Sequence, residues 1–214
     1  MVRMHTPPTI ALVGNAVPGT EDPDRSAEID AHAEVWRFNN APGMAAGKQG
    51  ARTTLLWLVN SGGSMRERLE MPDFPGSPPM RGTRALAFPV HPAMLRRYHP
   101  EPTPERAAAG DRNDWTGPAI EAFGAERSVT ILPAAHYDRA CRALDLDEEE
   151  RRRRFPSTGF LAAHWLLESR PGVRASVYGF TWAGWDSHAW DAEGAWFRDR
   201  EREGRLRIVT QRGE

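Results

Sequence analysis

The chain has little of several residues that would mark common functional classes. Cys141 is the only cysteine in 214 residues, so no intrachain disulfide can form and a cysteine-built metal site is excluded. Lys48 is the only lysine among 28 basic residues, and these are nearly cancelled by 29 acidic ones. A nucleic-acid binder rests its affinity on a basic surface, so this balance predicts no such partner. There is no run of about 20 apolar residues to span a bilayer. The opening "MVRMHTPPTIALVGN" has only a short apolar run that reads as a strand, with no secretory signal. The expectation is a soluble cytoplasmic protein. What is present suits a folded domain, with 40% hydrophobic residues and eight tryptophans to build a core.

Short apolar runs recur along the chain, bounded by Gly, Asn and Pro. They predict seven strands, at 9–15, 35–39, 52–60, 84–90, 128–133, 173–180 and 205–210. Between them lie helical segments: a short one around Glu28, then 64–70, 92–98, 103–109, 136–144, 158–168 and 191–203. Alternating strands and helices predict an α/β fold, a single Rossmann-like domain over 1–214 with a mostly parallel sheet of about seven strands. Two proline-rich stretches, 71–82 and 99–105, read as surface excursions. The charge blocks of "DLDEEERRRR" (145–154) read as a solvated helix end.

In such a sheet, ligands sit outside the carboxyl ends of the strands. The first loop there, "VGNAVPG", is neither a dinucleotide fingerprint nor a P-loop: Asn15 and Ala16 follow Gly14, and Thr20 and Glu21 follow Gly19. Asn15 stands out because an amide at a strand end both donates and accepts. Asp22-Pro-Asp24 and Asp145-Leu-Asp147 have the letters of a metal clamp but follow no strand. In "FPSTGFLAAHWLL", Pro156 suits a helix start and Ser157 or Thr158 can cap it. A helix N-terminus is also an anion site, and Gly159 would let a phosphate approach, so cap and ligand contact both stay open. His164, among Leu161 and Trp165, reads as a packed core histidine. In "GWDSHAWDAEGAWF", His188 and Glu193 stand five apart at a helix start beside three tryptophans, as a helix terminus or as a general base with aromatic lining.

Together these segments resemble the sialyltransferases of glycosyltransferase family 29. The family's large motif is matched by "ALVGNAVPGTEDPDRSAEIDAHAEVWRFNNAPG" and "GARTT", its small motif by "PSTGFLAAHWLL" running into "VYGF". The very small motif, H-x-x-x-x-E, is matched by His188 through Glu193. The resemblance implies a variant of the GT-A glycosyltransferase fold that binds a CMP-sugar without a metal or other cofactor. It assigns Gly14, Asn15, Asn39, Ser157, Thr158 and Gly159 to CMP-sugar binding, with Asn15 and Asn39 on the phosphate and ribose. It makes His188 the catalytic base and places Glu193 with it in the catalytic group, shaping the helix start. The implied reaction moves sialic acid, or a related acidic sugar such as Kdo, from CMP to a glycan hydroxyl with inversion. A lipid-linked acceptor would bring peripheral membrane contact. The bacterial form is implied, since the membrane anchor and disulfide of animal members have no counterpart in the sequence. The family's His-Tyr element between the small and very small motifs has none either; His136-Tyr137 has the letters but precedes the small motif. Two other readings are a nucleotide-sugar-binding protein of the same fold without turnover, and an unrelated Rossmann-like nucleotide-binding enzyme.

Overall fold

A computed structural model describes residues 9–99 and 101–210. Seven strands form one sheet: β1 (Thr9–Val13), β2 (Glu34–Phe38), β3 (Leu55–Trp57), β4 (Ala85–Phe88), β5 (Ser128–Ile131), β6 (Arg174–Tyr178) and β7 (Leu206–Val209). Their order is β5-β4-β3-β2-β1-β6-β7 and every pairing is parallel. Parallel strands need crossovers, which eight helices supply among the described residues except between β2 and β3, where a 3-10 turn (Pro42–Ala46) takes their place. The helices are α1 (Ser26–Asp30), α2 (Gly62–Glu70), α3 (Pro92–Tyr98), α4 (Pro104–Ala108), α5 (Thr116–Phe123), α6 (Ala134–Ala143), α7 (Thr158–Ser169) and α8 (Trp190–Arg202). The chain runs outward from β1 to β5, then returns to lay β6 against the other side of β1. That reversal puts the topological switch point between β1 and β6, although the cavity described below lies further along the sheet, over the carboxyl ends of β2, β3 and β4.

Burial follows this plan. The central strands are buried on both faces, which is why they read as continuous apolar runs rather than alternating ones. β5, at the edge, alternates exposed and half-buried positions. One core cluster packs Leu12, Trp36, Trp57, Phe160 and Phe197; a second packs Leu58, Met65, Phe74, Met80 and Phe123.

Two expectations need correction here. The 71–82 stretch is not a mere surface excursion, because Phe74 and Met80 are buried in the second cluster. The 145–154 block is not wholly solvated either: Arg151 is buried, donating to the Leu146 carbonyl at 3.0 Å and pairing with Asp138 at 3.1 Å. Among the described residues, no helix is long and apolar enough to cross a membrane.

Candidate active site

The small residues at the start of α7 do two jobs. Ser157 is its N-cap: Oγ accepts from the Phe160 N–H at 3.1 Å. The same hydroxyl donates to Glu193 Oε2 at 2.6 Å, and the Ser157 N–H donates to Glu193 Oε1 at 2.7 Å. Glu193 lies in the first turn of α8 and is 1% exposed. Burial pushes its carboxyl up to about 7, against the pull of the two Ser157 bonds. The glutamate of the H-x-x-x-x-E spacing thus grips the capping serine from behind. It holds α8 to α7 and does not line the cavity described below.

Gly159 is required by packing, since a Cβ there would stand 2.7 Å from the Phe180 ring. Gly14 is constrained from the other side: its Cβ would lie 2.4 Å from the Gly179 carbonyl oxygen and 2.8 Å from Phe180. Phe180, just past β6, therefore wedges between the end of β1 and the start of α7. It packs edge-on against Phe38 at 5.7 Å.

His188 sits in the loop between β6 and α8. Its backbone is bridged to Phe155, whose N–H donates to the Ser187 carbonyl at 2.7 Å. Its Nδ1 lies 2.7 Å from the Phe155 carbonyl oxygen. A carbonyl can only accept, so Nδ1 carries the proton and Nε2 keeps its lone pair. Burial holds the imidazole below its ordinary pKa, with the Phe155 bond acting the other way. Trp185 and Trp190 flank the ring edge-on at 5.1 and 4.8 Å. Trp185 is 58% exposed and stacks on Phe155 at 5.8 Å and 13°, an uncovered aromatic face beside the histidine.

A second histidine packs on the same phenylalanine ring. His99 stacks on Phe155 at 4.3 Å and 19°. Burial, and then the neighbouring charge of a protonated His188, push His99 down to about 4. Its Nε2 is buried with no hydrogen-bond partner among the described residues. At neutral pH both rings are uncharged, so the positive charge here comes from arginines and helix ends.

His99, Phe155, Trp185 and His188 border one cavity of about 780 Å³, within the usual range of small-molecule sites. It lies over the carboxyl ends of β2, β3 and β4, where Asn39, Val59 and Val90 line it. Thr158, Phe155, Trp185 and His188 close the opposite side. Two helices aim their N-termini into it: α7 at Thr158, and α2, whose "SGGS" (61–64) lines the wall. Free backbone N–H groups and the positive dipole end favour an anion at each. Arg68, also on the wall, is 6% exposed and donates to Asn40 Oδ1 at 2.6 Å and to the Ser64 carbonyl at 2.7 Å. It has no carboxylate within ion-pair distance among the described residues, and burial lowers its pKa to about 10.

The predicted site residues thus fall into groups. Asn39, Thr158 and His188 line the cavity. Ser157, Gly159 and Glu193 build the wall behind Thr158. Asn39 stands in the left-handed region at φ 55°, and its Oδ1 accepts from the Val59 N–H at 2.9 Å. Asn15 is exposed just past the end of β1, beside β2, which Asn39 follows, and is not among the residues lining the cavity. Gly14 is buried under Phe180. Three of the four D-x-D carboxylates are occupied locally: Asp22 and Asp24 accept from the Gly19 and Ser26 N–H groups, and Asp147 from those of Glu149 and Glu150. Lys48 and Arg37, inside the large motif, bind loop carbonyls instead of the cavity. Sequence reasoning missed His99, Arg68 and the 61–64 turn. The "NSGGS" after a strand was a readable signal for the last, while His99 was hidden in a stretch taken as surface.

No family model matches the chain, and no curated protein matches it by sequence. Comparison of folds is informative. The single α/β domain with its all-parallel seven-stranded sheet is a Rossmann-like glycosyltransferase fold, shared with solved sialyltransferases. A crystal structure of a mammalian sialyltransferase aligns with a TM-score of 0.54 over 98% of this chain and 71% of that one, at 18% identity. A mammalian sialyltransferase in complex with Gal-beta-1-3GalNAc-ortho-nitrophenol gives 0.53 over 98% and 72%, also at 18%. The sialyltransferase CstII from Campylobacter jejuni, in complex with the substrate analogue CMP-3FNeuAc, gives 0.53 over 95% and 79%, at 9%.

Proposed function

We propose that this chain is an inverting glycosyltransferase that moves sialic acid, or a related acidic sugar such as Kdo, from CMP to a glycan hydroxyl. The observation that carries the reading is the wiring of His188. Its Nδ1–H is tied to the Phe155 carbonyl, and its ring lines the cavity into which the α7 N-terminus points. Asn39, on the cavity wall, contacts the nucleotide there, and a nucleotide extending from the cavity toward the carboxyl end of the adjacent β1 reaches Asn15. Thr158 and the first backbone N–H groups of α7 hold the CMP portion, since the Ser157 hydroxyl is already engaged by Glu193. The proton of the acceptor hydroxyl passes to His188 Nε2 as its oxygen bonds to the anomeric carbon. The bond from that carbon to the phosphate oxygen breaks, and CMP leaves with the electron pair. Helix N–H groups and Arg68 stabilise the charge that develops on the phosphate, with no metal in the cavity. Glu101, Pro102 and Thr103 of the second proline-rich stretch also line the cavity and face the acceptor.

The test is calorimetry with CMP followed by a transfer assay from CMP-sialic acid. CMP binding and transfer to a galactoside that persists in EDTA are expected. Binding of NAD or ATP without any binding of CMP would overturn the reading. CMP binding without transfer would instead establish a nucleotide-sugar-binding protein.

A further inference from the structure

The second half of α7 holds three side chains that the proposed reaction does not use: His136 from α6, and His164 and Glu168 one turn apart on α7. None of them lines the cavity. His136 is fully buried, with Nε2 3.1 Å from the Leu161 carbonyl oxygen and Nδ1 3.2 Å from Glu168 Oε2. The carbonyl can only accept, so Nε2 bears the proton. A neutral ring then turns the lone pair of Nδ1 toward a carboxylate oxygen, two acceptors at hydrogen-bond distance. The other tautomer only moves the conflict to Leu161. His164 adds to it. The residue is 7% exposed, and its Nδ1 lies 3.6 Å from the same Oε2 without a hydrogen-bond partner among the described residues. A second proton on His136 would answer the first conflict, while an Nδ1–H tautomer of His164 would face Oε2 only at 3.6 Å, beyond hydrogen-bond distance. One cation answers both.

The spacing fits such an ion. Bonds of about 2.0–2.1 Å in a tetrahedral site set neighbouring donor atoms roughly 3.3 Å apart. The two nitrogen-to-oxygen separations, 3.2 and 3.6 Å, bracket that value, and the three donors lie within 4.8 Å of one another. An imidazole N–H given to a backbone carbonyl, as His136 gives to Leu161, is the usual support of a metal-ligating histidine. Arg139 donates to Glu168 Oε1 at 2.8 Å and to Oε2 at 3.1 Å. It orients the carboxylate and offsets its charge, which favours an ion held mainly by nitrogen over Mg²⁺ or Ca²⁺. Glu168 is one-third exposed, leaving a fourth position open to water.

We propose that His136, His164 and Glu168 form a divalent transition-metal site of the Zn²⁺ class that clamps α6 to α7, separate from the cavity. The test uses the full chain, first dialysed against chelator and then given ZnCl₂. One equivalent of zinc retained through desalting is expected, with a higher unfolding temperature. His164→Gln and Glu168→Gln should each weaken zinc binding at least about tenfold. Co²⁺ bound by the wild-type chain should give the visible absorption of a four- or five-coordinate ion, displaced by one equivalent of Zn²⁺; this readout needs no variant. The proposal is overturned if the wild-type chain retains no more zinc than His164→Gln, if Co²⁺ shows only its six-coordinate aqueous spectrum, or if Mg²⁺ raises the unfolding temperature equally.

Discussion

The two ends of α7 each bring a pair of histidines and one glutamate together, and they are wired in opposite ways. At the N-terminal end, Glu193 is spent on the Ser157 cap, and His99 and His188 line a cavity beside Phe155. At the C-terminal half, Glu168 lies directly against both His136 and His164. The carboxyls respond accordingly. Burial raises Glu193 to about 7. Burial acts on Glu168 too, but Arg139 and the two histidines outweigh it and hold that carboxyl below its ordinary value. An imidazole held by a backbone carbonyl stays neutral with a lone pair to offer a substrate. Imidazoles crowded on a carboxylate call for a cation. Residue type alone does not separate these two uses; the partner of the second ring nitrogen does.

The largest expected effect on stability comes from the N-terminal end. Ser157→Ala removes the cap and strips the buried Glu193 of a hydrogen bond, which should lower the unfolding free energy by about 2 kcal/mol in chemical denaturation. Glu193→Gln should show itself in pH dependence. The folded-state pKa of Glu193, about 7, lies above its ordinary 4.5. The protonated form's stabilisation is therefore complete below pH 4.5 and is lost as the pH rises to about 7. Against Glu193→Gln, wild type should lose stability across that window; a constant difference between the two would contradict the buried carboxyl. The smallest effect should be that of His164→Gln on transfer, which is expected to stay within about twofold because the metal site is separate from the cavity.

Much of the fold could be read from sequence. All seven predicted strands are present, with β3 shortened to Leu55–Trp57; the central ones, buried on both faces, leave unbroken apolar runs. α5 was missed. Its Gly117 and Pro118 look like breakers, yet Pro118 falls in the first turn, where a helix needs no N–H. The site was legible wherever a motif kept its residues close in sequence, as at Ser157 and His188. His99 and Arg68 escaped because their position comes from contacts distant in sequence, with Phe155 and with Asn40. The bond between Ser157 and Glu193 joins two motifs that the sequence shows only as separate signals.

The most direct test of the account compares turnover with nucleotide binding in His188→Ala. Removing the proposed general base while leaving the α7 N-terminus intact should cut transfer from CMP-sialic acid by about 10²- to 10⁴-fold. CMP affinity should stay within about threefold. Transfer that survives the substitution would contradict the account, and so would CMP affinity that falls in step with the rate.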